Sequence, residues 1–160
     1  MGRSEVRITI ARPLAEVFAT YTQPDIFGWS DFRRVRWSSG EPWQVESRMR
    51  IELENAFGVV VDQVVTHFEP NRRIDFSHFG GITMQSQVRF RALSDNLTEL
   101  ETESEFVGSF SRIAGFAVGP AIEFGMRKFY SDFQRECERT ASVKSNLPQT
   151  GHDVGESDTG

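Results

Sequence analysis

Residues 82–106 read ITMQSQVRFRALSDNLTELETESEF, and this stretch decides the fold. Ile82, Met84, Ser86, Val88, Phe90 and Ala92 alternate with Thr83, Gln85, Gln87, Arg89 and Arg91. Leu100, Thr102, Ser104 and Phe106 alternate with Glu99, Glu101, Glu103 and Glu105. Period two over this length predicts two strands, each with one buried face. Ser94, Asp95 and Asn96 supply the turn chemistry between them. A three-residue loop pairs Leu93 with Leu97. Arg91 then faces Glu99, Arg89 faces Glu101, Phe90 faces Leu100 and Met84 faces Phe106. Opposite charges meet on one side and apolar groups on the other, so the register is fixed twice over.

The same period extends upstream. Arg33 to Gly108 reads as β throughout: Val35 and Trp37, then Val45 to Glu54, Val59 to Phe68 and Arg73 to His78, with turns at Ser38–Pro42, Asn55–Gly58 and Glu69–Asn71 and a hairpin loop at Gly80–Gly81. Val6, Ile8 and Ile10 form a first strand. Pro13 opens a short helix whose apolar face is Leu14, Val17, Phe18 and Tyr21, ending near Thr22 because Pro24 disfavours helix before it. A second short helix or turn covers Asp25 to Asp31. Downstream, Ile122, Met126, Phe129, Phe133 and Cys137 recur at helical spacing, and Pro120 either kinks a helix begun near Ser111 or precedes its main segment. This helix is expected to end near Ala141.

Length and composition agree with one folded domain over residues 3–141. The chain has 160 residues, with 14 Phe and 3 Trp to fill a core. Residues 142–160 are rich in Gly, Ser, Asp and Thr and read as a disordered tail. A net charge of -5 argues against a nucleic-acid partner. No apolar run spans a bilayer, and the N-terminus lacks the apolar core of a signal peptide, so a cytoplasmic location is expected. The single cysteine leaves no internal disulfide, and His67, His78 and Cys137 lack metal-ligand spacing; no metal and no cofactor are expected.

Particular residues carry a likeness to a known family. Residues 10–18, IARPLAEVF, resemble the opening of the START/SRPBCC superfamily, which includes the birch-pollen-allergen-like and polyketide cyclase/dehydrase-type proteins. Residues 25–29, DIFGW, resemble its segment after the first helix, with a Trp at position 29. Residues 65–74, VTHFEPNRRI, resemble its characteristic turn. A Glu-rich last strand and a long C-terminal helix complete the likeness, which spans Glu5 to Thr140. It departs at Glu46, where relatives often carry Gly, and at Asp62-Gln63, where many carry an aromatic residue. The resemblance implies an α+β helix-grip fold: a seven-stranded antiparallel sheet curled around the long helix, with two short helices after the first strand. It also implies a pocket between sheet and helix.

Strand phase then assigns the lining. Val45, Ser47, Met49 and Ile51 point inward, as do Val59, Val61, Gln63 and Val65 in one of the two phases that the consecutive Val59, Val60 and Val61 leave open. Ile74, Phe76 and His78 join them, with Met84, Ser86, Val88 and Phe90, and Leu100, Thr102, Ser104 and Phe106. The helix adds Ile122, Met126, Phe129 and Phe133. Apolar walls with a few polar points describe a small-molecule site. Its candidate ligand contacts are His78, Gln63, Ser86, Thr102, Ser104, Trp29, Met84, Phe106, Met126, Phe129 and Tyr130. Tyr21, Trp29, Trp37 and Tyr130 are candidates to ring an entrance. An inward His78 is a general base or a hydrogen-bond donor to a carbonyl, or a loop-side group bonded to backbone. Three functions follow. One is binding or transport of a small hydrophobic molecule, such as a lipid, polyketide or aromatic metabolite. The second is a cyclase or dehydratase acting in the same pocket. The third is a protein-interaction domain with a filled interior.

Overall fold

The structure is a computed structural model and describes residues 3–23, 33–53, 60–79, 83–108 and 111–145. Strand β1 (Arg3–Ile10) is followed by helix α1 (Leu14–Tyr21). Six strands follow: β2 (Arg33–Ser39), β3 (Arg48–Leu53), β4 (Val60–Glu69), β5 (Arg73–Phe79), β6 (Met84–Ser94) and β7 (Leu97–Phe106). Helix α2 (Ser111–Ser145) ends the described chain. The seven strands form one antiparallel sheet in the order β1-β7-β6-β5-β4-β3-β2.

The last hairpin carries the expected pairs Arg91–Glu99, Arg89–Glu101, Phe90–Leu100 and Met84–Phe106. Its turn differs from expectation. Ser94 pairs with Leu97 and Ala92 with Thr98, so the turn has two residues and Leu93 is bulged out to solvent. A bulge adds one unpaired residue to one strand, which restores the same downstream register that a three-residue loop gives.

Strand β3 begins at Arg48, later than the period-two reading placed it. Ser47, Met49 and Ile51 are buried as expected, but Val45 is 54% exposed, correcting its inward assignment. The cause is backbone. Trp43 and Glu46 take φ of 67° and 71°, a left-handed conformation that costs a non-glycine residue about 1–3 kcal/mol. The loop is held by Gln44 N–H on Glu41 O (3.3 Å) and Ser47 N–H on Gln44 O (3.1 Å). Glu46 N–H donates to Val65 O at 2.8 Å, and Val65 N–H to Ser47 O at 3.0 Å. At Gly40 φ is 77°, and a Cβ there would lie 3.0 Å from Ser47 Cα, so this turn requires glycine.

Helix α1 begins directly after Pro13 and buries Val17, Phe18 and Tyr21; Thr22 N–H closes its end on Phe18 O. Helix α2 runs without a break from Ser111 through Pro120, which resolves that alternative, and continues to Ser145, past the expected end near Ala141. It crosses the inner face of the sheet. Gln134 Nε2 donates to Thr9 O at 3.0 Å, and Phe129, Phe133 and Cys137 are buried against the sheet and α1. The second short helix expected at Asp25–Asp31 lies outside the described residues; of the tail expected over residues 142–160, residues 142–145 instead continue α2 and the rest lie outside the described residues.

Inner and outer faces separate cleanly. Ile10, Met49, Val65, Ile74, Val88 and Leu100 are buried on the α2 side. The other face carries ion pairs: Arg7–Glu101 and Arg3–Glu103 at 2.5 Å each, and Arg91–Glu99 at 2.8 Å. No helix among the described residues is long and apolar enough to cross a membrane.

Candidate functional site

Strand register brings the polar residues of the inner face into two adjacent rows. One row crosses the sheet through Trp37, Met49, Gln63, His78, Met84 and Phe106. The next runs through Val65, Phe76, Ser86, Ser104 and Ser4. His78 and Ser86 meet across the rows at 2.9 Å, from Nε2 to Oγ. Ser86 Oγ meets Ser104 Oγ at 2.7 Å, and Ser104 Oγ–H reaches Met126 Sδ of α2 at 3.7 Å. A serine hydroxyl has one proton to give. When Ser104 donates to the sulfur, Ser86 donates to Ser104 and His78 Nε2–H donates to Ser86.

The expected residues fall into groups. His78 points inward and is half-buried, and Ser86, Ser104 and Met126 complete its chain. Gln63 is 4% exposed and sits directly opposite His78. Its amide forms no hydrogen bond among the described residues, so the structural partner expected for a buried amide is not supplied there. Thr102 is 1% exposed, and its Oγ1 has no partner among the described residues. Met84 and then Phe106 follow His78 along the first row. Phe129 and Tyr130 are both buried, with ring centroids 5.0 Å apart. Tyr130 is therefore a core residue rather than part of an exposed rim, and so is Tyr21, which packs edge-on against Phe90 and Phe133. Trp29 and Val59 lie outside the described residues.

Two residues that sequence reasoning passed over belong here. Ser4 faces Ser104 across the β1–β7 pair, and its buried Oγ has no partner among the described residues. Its signal was available, because it continues the period of Val6, Ile8 and Ile10. Trp43 is buried against Tyr21, Trp37, Phe68 and Phe76. No sequence period includes it, because a left-handed loop turns it inward.

Titratable groups elsewhere are accounted for. Burial pushes the Cys137 thiol up to about 12, so it is not a nucleophile at neutral pH. Burial also pushes the Asp132 carboxyl up, but hydrogen bonds from Lys128 and Arg135 outweigh it and hold the group below its ordinary value. Glu5, Glu101 and Glu103 bring carboxylate oxygens within 4.8 Å of one another on the outer face. Arg3 and Arg7 already pair with them. Two open depressions, of about 370 and 530 Å³, are floored largely by the same arginine–carboxylate lattice, and the smaller also touches Phe76, Ser86 and Ser104 of the inner rows.

Comparison with known proteins agrees with the fold. The family described as polyketide cyclase/dehydrase and lipid transport matches residues 1–142. No curated protein matches the chain. Among solved structures, DynU16 of the dynemicin biosynthetic locus aligns at a TM-score of 0.67 and 19% identity, over 88% of this chain and 48% of its own. BexL, a di-domain ARO/CYC from the BE-7585A biosynthetic pathway, aligns at 0.70 and 14%, over 92% and 48%. TTHA0849 from Thermus thermophilus aligns at 0.67 and 10%, over 87% and 99%. The chain thus spans about half the length of DynU16 and BexL and nearly all of the Thermus protein. At these identities the likeness establishes a shared fold.

Proposed function

The chain belongs to the polyketide cyclase/dehydrase and lipid transport family, and from that premise we propose that it binds a small, largely apolar molecule bearing an oxygen function. The observation that carries this reading is the His78–Ser86–Ser104 chain inside a largely apolar interior. Burying polar side chains in a core costs free energy unless each is bonded, and apolar residues of similar size serve a plain core better. Here the Thr102 and Ser4 hydroxyls remain beside the chain without partners among the described residues. The buried Gln63 side chain adds an amide directly opposite His78. These groups match what a pocket offers to a ligand's carbonyl or hydroxyl groups. A cytoplasmic location and a hydrophobic small-molecule partner, expected from the sequence, are part of this reading.

A cyclase or dehydratase activity in the same site is the second reading, favoured by one observation. His78 is an imidazole hydrogen-bonded into the inner row, and acid–base catalysis needs such a group at the reacting atom. The two readings part on turnover. A bound molecule recovered unchanged after incubation supports carriage. One that loses water with the native protein, and not with His78→Phe, supports catalysis.

The test of binding is native mass spectrometry of the purified protein, paired with Met126→Trp. Met126 sits on the inner face of α2 above Ser104. A larger ring there fills the space over the polar row, at a cost of about 1–3 kcal/mol if the site is tightly packed. A co-purified molecule released on denaturation, and affinity for a fluorescent apolar probe lost in the variant, are the expected results. No co-purified molecule, and no probe binding by the native protein up to the probe's solubility limit, would put the interaction-domain reading in front.

A further inference from the structure

We propose that the indole N–H groups of Trp37 and Trp43 form a second polar point of the binding site, donating to a carbonyl or ether oxygen on a flat, ring-bearing ligand. The inference rests on the binding reading above and names the chemistry at the far end of its site. Three observations carry it. First, Trp43 is 8% exposed, and neither its Nε1 nor the buried Nε1 of Trp37 has an acceptor among the described residues. Native proteins rarely leave buried donors unmet, and those that persist call for an explanation.

Second, the two rings lie edge to face, with centroids 5.2 Å apart and planes at 74°. In such a pair only one ring's edge addresses the other's face. At most one N–H can be met by its partner's π cloud, and neither has a hydrogen-bond acceptor among the described residues. Third, the backbone is strained to hold this arrangement. Trp43 and Glu46 both occupy the left-handed region, and the loop between β2 and β3 is fastened to β4 on both sides of Glu46 and Ser47. Backbone hydrogen bonds hold the strained loop, yet they leave the Trp43 indole N–H without an acceptor among the described residues. Such strain gathers at ligand clamps.

Position supports the assignment. Trp37 is in the same register row as Gln63 and His78, two and three strands away across the sheet, which is roughly 10 and 14 Å at ordinary strand spacing. Trp43 closes that end of the inner face against Tyr21, Phe68 and Phe76. The surroundings are aromatic faces, which accept a flat ring by stacking. The donors are neutral, which selects carbonyl and ether oxygens over phosphate. A ligand reaching both ends therefore carries oxygens at its two extremities: one at His78–Ser86 and one at the indoles. Entry requires the aromatic packing around Nε1 to part.

The test uses a matched pair, fluorene and 9-fluorenone, which share a skeleton and differ by one carbonyl oxygen. Binding is followed by tryptophan fluorescence and checked by calorimetry, with the unfolding midpoint of every variant recorded. Trp43→Phe and Trp37→Phe keep an aromatic ring and remove the N–H. The expected result is that native protein prefers fluorenone, and that at least one variant loses roughly fivefold of that preference, the worth of one net hydrogen bond. Fluorene affinity should stay within about twofold, because stacking is kept. An unchanged preference in both variants overturns the proposal while leaving the pocket intact. A variant more stable than the native protein with unchanged preference also overturns it, marking the N–H groups as frustrated core atoms. Failure of native protein to bind either probe removes the binding reading and this inference with it. Trp37, half-buried on its strand, keeps the test open should Trp43→Phe fail to fold.

Discussion

Replacing Ser86 with Ala tests whether the inner polar row is a network. Ser86 lies between His78 Nε2 at 2.9 Å and Ser104 Oγ at 2.7 Å, and is 9% exposed. The substitution removes two hydrogen bonds, each worth about 1 kcal/mol net. It also leaves His78 Nε2 without that partner in a half-buried place, adding up to about 1 kcal/mol. The sum is roughly 2–3 kcal/mol, which for a chain of this size lowers the unfolding midpoint by roughly 4–12 °C. The assay is urea and thermal unfolding of Ser86→Ala, Ser104→Ala and the double variant. In a connected chain the second substitution costs less once the first has removed its partner. The cycle should therefore show a coupling of about 1 kcal/mol. A Ser86→Ala protein within about 0.5 kcal/mol of native, or strictly additive effects, would refute the network and weaken the polar recognition point built on it.

Three further outcomes follow from named groups. Asp132→Asn should destabilise by about 1 kcal/mol at neutral pH, because both cations it pairs with are partly solvated. The native carboxyl is depressed, so its contribution is complete above the ordinary aspartate value of about 3.9 and is lost as pH falls through the lower native value; native and variant stabilities should converge in acid, as unfolding curves across that window will check. Cys137, 2% exposed and with its pKa pushed up to about 12, should react with a thiol reagent at pH 8 only as fast as the protein opens; labelling faster than unfolding would contradict its burial. Deleting residues 146–160, which contain no aromatic side chain and little apolar surface, should leave the thermal midpoint unchanged, and a fall of several degrees would show that the tail docks.

Much of the fold was legible because a half-buried sheet writes its period into the sequence. Val88, Phe90, Leu100 and Thr102 on one side, and Arg89, Arg91, Glu99 and Glu101 on the other, set the hairpin register without reference to any relative. Backbone irregularities were not legible. The bulge at Leu93 and a three-residue loop give the same downstream pairs, so alternation cannot separate them. The left-handed turns at Trp43 and Glu46 follow from long-range bonds to Val65, which no local pattern encodes. They explain both why Val45 was placed on the wrong face and why Trp43 was passed over. In the site, phase sufficed to turn Ser86 and Ser104 inward, whereas the consecutive Val59, Val60 and Val61 left Gln63 open and the nearby Gly80–Gly81 loop left His78 open. The end of the His78–Ser86–Ser104 chain on Met126 depends on how α2 lies against the sheet, a tertiary fact.

The sheet order has a consequence for how the chain folds. Every neighbouring pair from β2 to β7 is consecutive in sequence, so this six-strand meander can assemble by short loop closures. Strand β1 is different: Val6 pairs with Thr102, and β1 must wait for the last strand to exist. Helix α2, which covers the inner face, comes later still. During synthesis the apolar face of the meander is therefore left open until the final third of the chain has emerged. Contacts of high sequence separation form late in folding, because their loop entropy is repaid only at closure. Substitutions in the β4–β5 and β6–β7 hairpins should slow folding. Those at the β1–β7 seam, such as Val6→Ala, should chiefly speed unfolding. The seam between the two ends of the chain is thus the latch whose opening rate sets the lifetime of the folded molecule.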